Sequence, residues 1–66
     1  MKEVMREEKA FNGNTVRLEY ESADLGGKYK IRYKRPGEYG FRFDSSWKSI
    51  GEASDYFEKL LTGGRR

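Results

Sequence analysis

With 66 residues, the chain has room for one domain, and a domain of this size buries only about 60% of the surface that its unfolded chain exposes. It contains no cysteine and no histidine, which excludes disulfide bridges, zinc-finger sites, thiolate nucleophiles and an imidazole general base. The net charge of +3 is unevenly distributed, because residues 1–27 hold four cations and six carboxylates whereas residues 28–48 hold seven cations and two carboxylates. The positive excess therefore lies in the middle of the chain.

The composition favours a folded and soluble protein. Charged residues reach 38% of the chain, but aromatic residues make up 15% and fall in alternating positions, which is typical of a packed sheet. No apolar run approaches the length of a membrane span or of a signal-peptide core. We therefore expect a cytoplasmic protein without membrane contact.

The first third of the chain predicts a β-hairpin with strands over residues 3–11 and 14–22. Val16, Leu18 and Tyr20 alternate with charged residues, which is the period of a strand with one buried face. Asn12-Gly13 is the preferred pair for a type I′ turn, in which both central residues have positive φ. A loop containing Gly26-Gly27 then leads to the next strand.

A second hairpin is predicted from the alternation of cations and bulky apolar residues over residues 28–35. Arg35-Pro36-Gly37-Glu38 predicts a type II turn, since proline fixes φ at the second position and glycine supplies a positive φ at the third. The returning strand is expected over residues 39–43. Its alternation predicts three aromatic rings on the apolar face of the sheet: Tyr39, Phe41 and Phe43.

One helix is predicted over residues 49–62. Ser49 and Glu52 have the spacing of a capping box, in which each side chain binds an otherwise unpaired backbone amide. Apolar residues then recur at helical spacing and form one stripe: Ile50, Ala53, Phe57, Leu60 and Leu61. Gly63-Gly64 is expected to end the helix, and residues 63–66 to form a tail.

The predicted fold is α+β: a four-stranded antiparallel meander sheet made of two hairpins, with one C-terminal helix packed on one face. Each connection is short enough to join neighbouring antiparallel strands. At this length the apolar stripe of the helix and the apolar face of the sheet must cover each other. The second face of the sheet is therefore expected to stay open.

This second face is the best candidate for function. Alternate residues share a face, so the four cations of the third strand project together, with Arg17 and Arg42 beside them. Such a surface attracts phosphates largely without regard to sequence, although the same row could also be the solvated side of a one-faced sheet. The candidate nucleic-acid contacts are Arg17, Lys28, Lys30, Arg32, Lys34, Arg42 and Lys48.

Other functional signals are weak. Trp47 precedes the helix and is expected to cover one end of the core, with an exposed partner contact as the less favoured alternative. The acidic residues are scattered, without the spacing of a calcium loop or the apolar surroundings of an acid–base pair. We therefore expect no catalysis, no metal and no cofactor.

The segment Lys28-Tyr29-Lys30-Ile31-Arg32 resembles a strand of the small single-strand-binding domains related to the transcriptional coactivator PC4, in which a lysine and an aromatic residue precede an Ile-Arg pair. A turn, a further strand and a terminal helix follow in the same order, so the likeness covers about residues 15–62. The chain departs from the family at Lys30, where aspartate is common, and at Phe41-Arg42-Phe43, which replaces a lysine-glycine pair. The resemblance implies a homodimer with basic grooves for single strands, and as contacts Lys28, Lys30, Arg32 and Arg42.

We therefore expect a small non-catalytic protein that binds nucleic acid, with single strands favoured or with no sequence preference. The alternative is a small protein-binding module or inhibitor of phage or mobile-element type, which engages an acidic surface of another protein through the same charged face. Residue types do not separate the two functions, because both use the same strand. A direct measurement of nucleic-acid affinity distinguishes the two functions.

Overall fold

The computed structural model of the protein describes residues 2–22 and 28–63. The glycines Gly26-Gly27 of the predicted loop and the predicted tail beyond Gly63 lie outside the described residues. The elements are β1 (Lys2–Lys9), β2 (Thr15–Glu21), β3 (Lys28–Lys34), β4 (Arg42–Trp47) and α1 (Ile50–Thr62). The strands form one antiparallel sheet in the order β1-β2-β3-β4, so the predicted α+β meander with a C-terminal helix is confirmed.

The turn between β1 and β2 differs from the predicted type. Positive φ is confined to glycines in the described ranges, so Gly13 has a φ of 91° whereas Asn12 keeps a negative φ. The amide of Gly13 donates to the carbonyl of Ala10, and the amide of Asn14 donates to the side chain of Asn12. The connection is a three-residue loop with a bulged glycine, which joins the same two strands as a type I′ turn would.

The second turn is confirmed but the strand after it is not. Gly37 has a φ of 87°, and the amide of Glu38 donates to the carbonyl of Arg35, as a type II turn requires. The predicted range of residues 39–43 for the returning strand is wrong, because β4 begins at Arg42 and runs to Trp47.

A bulge in β4 changes which side chains face the helix. Ile31 of β3 pairs with Ser45, whereas the next residue, Arg32, pairs with Phe43. The extra residue on β4 is Asp44. Because side chains alternate with a period of two, this one-residue shift moves Phe43 to the face opposite the one predicted.

The core lies between α1 and the two central strands. Its buried apolar residues are Ala10, Val16, Leu18, Ile31, Ala53 and Phe57. Trp47 packs against this cluster, its ring centroid lies 5.2 Å from that of Tyr56, and its indole N–H donates to the hydroxyl of Ser45. Its predicted role in the core is therefore confirmed. The predicted helical stripe is also confirmed except at Ile50, which is 41% exposed.

Both ends of α1 are capped, but within the described residues only the Ser49 half of the predicted capping box forms, because the Glu52 carboxylate accepts no hydrogen bond from the Ser49 amide. The hydroxyl of Ser49 accepts a hydrogen bond from the amide of Glu52 at 3.2 Å, and Gly63 adopts the left-handed conformation with a φ of 91°. The amide of Phe11 donates to the carbonyl of Leu61 at 2.8 Å, which ties the first hairpin to the end of the helix. Within residues 2–22 and 28–63, no helix has the length and apolar character needed to cross a membrane.

Glycine-to-alanine changes at the two ends of α1 should have opposite effects on stability. A Cβ atom at Gly63 would lie 3.0 Å from the ring of Phe11 and would be held at a positive φ, so we expect the free energy of unfolding to fall by about 1–2 kcal/mol. A Cβ atom at Gly51 meets nothing within 4 Å, and the same change there should raise that free energy by up to about 1 kcal/mol. Urea denaturation measures both, and effects of the same sign would contradict the left-handed cap.

Candidate functional site

The sheet surface opposite α1 collects charged residues from three strands. Directly paired residues in an antiparallel sheet project to the same side, so the register identifies the residues that share this surface with Arg17. We call it the open face, and its residues are Lys2, Val4, Glu7, Lys9, Thr15, Arg17, Glu19, Glu21, Lys28, Lys30, Arg32, Lys34, Phe41, Phe43 and Ser46. These residues include seven cations and three carboxylates, which gives this surface a net charge of +4.

The structure brings most of the predicted contacts together. Those that share the open face are Arg17, Lys28, Lys30, Arg32 and Lys34. Arg42 does not join them, because it pairs with Tyr33, which in turn pairs with the core residue Val16 on the helix side. Lys48 is exposed and lies beyond the end of β4, between the sheet and the helix. The predicted grouping of Arg42 with the basic strand is therefore wrong, and the cause is the bulge in β4.

Arg42 is instead part of an ion pair at the end of the second hairpin. Its guanidinium donates to the carboxylate of Glu38 at 2.9 Å, and the pair is exposed to solvent. This hydrogen bond from Arg42 lowers the pKa of Glu38, and the backbone amide of Arg35 lowers it further. The Arg42 charge is thus directed toward a carboxylate of its own hairpin.

Two aromatic rings lie on the open face where the sequence predicted core residues. Phe43 is 55% exposed, and its ring centroid lies 5.9 Å from the guanidinium carbon of Arg32. The ring of Phe41 lies 3.8 Å from the guanidinium carbon of Arg17 and 5.1 Å from the ammonium nitrogen of Lys34. These distances are within the range of cation–π contacts. The open face therefore combines cations with aromatic rings.

A signal for this arrangement was present in the sequence. Phe43 and Trp47 are four residues apart, so a regular strand would place both rings on the same side. Three consecutive polar residues, Asp44-Ser45-Ser46, separate them and interrupt the apolar alternation. A bulge within this polar run is what allows Trp47 to cover the core while Phe43 faces outward. Tyr39, the third ring predicted for the core, is fully exposed.

Glu19 is a buried carboxylate beneath the cations of the open face, and it was not singled out from the sequence. The residue is 1% exposed. It accepts a hydrogen bond from the Nε of Arg32 at 3.0 Å and another from Arg17 at 3.4 Å, and the ammonium group of Lys2 lies 3.9 Å away. A buried carboxylate needs such partners, and these bonds fix the orientation of both guanidinium groups.

The other two carboxylates of the open face are also paired. Glu7 accepts a hydrogen bond from the Nε of Arg17 at 3.0 Å. Lys30 lies 2.8 Å from Glu21, and the hydrogen bond from this lysine lowers the pKa of Glu21. In the described part of the chain, three open-face lysines form no ion pair: Lys9, Lys28 and Lys34. Their charges are available to an anionic ligand.

A shallow cleft lies on the helix side of the sheet, away from the open face. It has a volume of about 180 Å³ and is lined by Ala10, Asn12, Asn14, Val16, Tyr33, Asp44 and Leu60. Its carboxylate, that of Asp44, already accepts a hydrogen bond from Ser45 at 3.1 Å. Burial and the nearby Asp44 raise the pKa of Tyr56. Because none of the described residues that line this cleft is a cation, it offers much less to an anionic ligand than the open face does.

Comparisons of the chain with models of protein families, with curated proteins and with solved structures found no match. The resemblance to PC4-related domains therefore stays a prediction, based on residues 28–32 and on the order of the elements.

Proposed function

We propose that the protein is a small, non-catalytic nucleic-acid-binding protein that holds single strands on the open face without sequence specificity. The observation that carries this proposal is the presence of cations and aromatic rings on one sheet surface, with Phe43 beside Arg32 and Phe41 against Arg17. Sequence-tolerant binding of single strands uses the same two components, a positive surface for the backbone and rings on which bases stack. A duplex keeps its bases paired inside the helix, so it could use only the charges.

The acidic residues of the open face are compatible with this function. Glu19 is buried, and the hydrogen bonds that it accepts leave other N–H groups of Arg17 and Arg32 free to meet phosphates. Glu7 and Glu21 form exposed ion pairs, which contribute about 1 kcal/mol or less and are readily exchanged for pairs with phosphate. Their cost to binding is therefore small.

The proposed setting is the cytoplasm, and the resemblance to PC4-related domains adds a homodimer to the proposal. Sedimentation velocity of the free protein distinguishes a monomer from a dimer. The open face belongs to one chain, so single-strand binding as proposed does not require the second copy.

Binding should depend strongly on salt. If about four cations of the open face neutralise phosphates, the logarithm of the affinity should fall with the logarithm of the salt concentration at a slope of about −3, using ~0.7 per phosphate contact. Fluorescence anisotropy with a labelled mixed-sequence oligonucleotide of about 12 nucleotides measures this slope. No binding at ~50 mM salt, where electrostatic attraction is strong, would overturn the proposal and favour the protein-binding alternative.

The contribution of a single lysine can be separated from net charge. Lys34→Gln removes an unpaired cation from the open face, and should weaken binding and reduce the salt slope by about 0.7. Lys59→Gln removes the same charge from the exposed surface of α1 and should leave the slope nearly unchanged. The same titration measures both variants. Equal losses would show that net charge, and not the open face, controls binding.

A further inference from the structure

We propose that the open face prefers pyrimidine-rich single strands to purine-rich ones, because it provides two separate positions for neighbouring bases. This inference rests on the proposed function and adds a class of ligand to it. It follows from the positions of the two aromatic rings and from the cations that contact them.

The first position is the ring of Phe43. This ring is more than half exposed and has the guanidinium of Arg32 near it, so a base can stack on the ring while its phosphate meets the cation. The second position is the stack of Arg17 on Phe41, at 3.8 Å. Guanidinium planes accept bases as aromatic rings do, and Lys34 provides a further cation beside this stack.

The two positions are too far apart for bases that remain stacked on each other. Arg32 contacts the first ring, whereas the second ring contacts Arg17, which is paired directly with Arg32, and Lys34, which lies two residues along β3 from Arg32. The positions of these two cations in the sheet are about 5 Å and about 6.6 Å from that of Arg32. Successive bases in a stacked strand are separated by about 3.4 Å. In the described ranges the ring pairs are Tyr20–Tyr29 and Trp47–Tyr56, so Phe41 and Phe43 do not stack on each other. Neighbouring bases must therefore unstack to occupy both positions.

This requirement favours strands whose bases stack weakly. Adjacent adenines stack strongly in a free single strand, and their separation opposes binding. Adjacent thymines stack weakly, so their strand is flexible and reaches both positions at little cost. Preferences of this kind arise from stacking strength and backbone flexibility, without hydrogen bonds to base edges, and they are modest in size. We expect oligo(dT) to bind roughly threefold to tenfold more tightly than oligo(dA).

Anisotropy titrations with oligo(dT) and oligo(dA) of about 12 nucleotides at the same salt concentration test the inference. Phe43→Leu keeps an apolar side chain but removes the ring, and should weaken oligo(dT) binding at least about fivefold while bringing the ratio of the two affinities toward one. Phe11→Leu is the matched control, because Phe11 is 69% exposed but lies beside Gly63 at the end of α1. It should leave both affinities unchanged.

A second measurement locates the bases directly. In NMR titrations with oligo(dT), the ring protons of Phe41 and Phe43 should shift, whereas those of Phe11 should not. Equal binding of oligo(dT) and oligo(dA), with no effect of Phe43→Leu, would overturn the inference and leave the proposed function standing. No binding of either oligonucleotide at ~50 mM salt would overturn both.

Discussion

Replacing Phe57 with alanine should lower the free energy of unfolding by about 3–5 kcal/mol. The side chain is fully buried in the cluster that joins α1 to β2 and β3, and the guanidinium of Arg6 lies 4.6 Å from its ring centroid. Domains have a total stability of about 0.05–0.15 kcal/mol per residue, so a chain of 66 residues has little to spare. We expect Phe57→Ala to be largely unfolded at room temperature, as measured by circular dichroism and urea denaturation.

Ile50→Ala provides the control for this loss. Ile50 is on the same helix but is 41% exposed, so removing its side chain should cost less than about 1.5 kcal/mol. A Phe57→Ala variant as stable as the wild type would mean that α1 does not dock on the sheet in solution.

The assignment of the two sheet faces has its own test. Ile31 is fully buried on the helix side of β3, and Ile31→Asp would place an unpaired carboxylate in the core. We expect this variant not to fold, as judged by the loss of dispersed amide signals in its NMR spectrum. A soluble and folded Ile31→Asp protein would instead show that the cationic side of β3 faces the helix.

The central strands could be predicted because the apolar residues of each strand lie on one side, and this side packs against α1. Val16 and Leu18 on β2, and Ile31 on β3, alternate with charged residues and are all buried against α1. The two hairpins were also marked by glycines, since Gly13 and Gly37 both have positive φ. Local sequence patterns were sufficient here, because the local preferences of these residues agree with the positions that they take in the fold.

The last strand could not be placed in the same way. Tyr39, Phe41 and Phe43 alternate as a strand does, and the alternation predicted one buried face for all three rings. The bulge at Asp44 changes the register instead, and Trp47 fills the place that these rings were expected to take. A hydrophobic pattern describes the period of a strand, but it does not reveal where an extra residue shifts that strand against its neighbour.

The register shift at this bulge also explains which predicted contacts lie on the open face and which does not. Lys28, Lys30, Arg32 and Lys34 belong to one regular strand, and they share a face as expected. Arg42 follows the irregular start of β4 and is on the other side. The burial of Glu19 depends on long side chains from β1, β2 and β3 that meet above it, and this is visible only when the three strands are assembled.

The buried position of Glu19 determines which charge reversals can test the site. Arg32 is one of its two guanidinium partners, so Arg32→Glu would bring a second carboxylate against a buried one. Loss of one partner of a buried ion pair costs about 3–5 kcal/mol, which could unfold a domain of this size. Lys30 is paired directly with Glu19 across the strands, so Lys30→Glu has the same fault. Lys9 and Lys34 are both paired with the uncharged Thr15, and they can be reversed with little effect on the core.

Lys9→Glu combined with Lys34→Glu should abolish nucleic-acid binding while the protein stays folded. The two changes remove four units of charge from the open face and reduce its net charge from +4 to zero. The affinity for a mixed-sequence single strand should fall by at least about a hundredfold at ~50 mM salt, because two phosphate contacts are lost and two carboxylates now repel the backbone. Anisotropy measures the affinity, and circular dichroism with thermal unfolding confirms the fold.

The matched control is Lys48→Glu combined with Lys59→Glu, which changes the net charge of the protein by the same amount. Lys48 lies beyond the end of β4 and Lys59 on the exposed surface of α1, so neither belongs to the open face. Affinity should fall in this control by less than about tenfold, because the open face keeps all its cations and gains no carboxylate, so only the long-range attraction is weakened. An equal loss in the two double variants would show that binding follows total charge, and would leave the open face without a specific role.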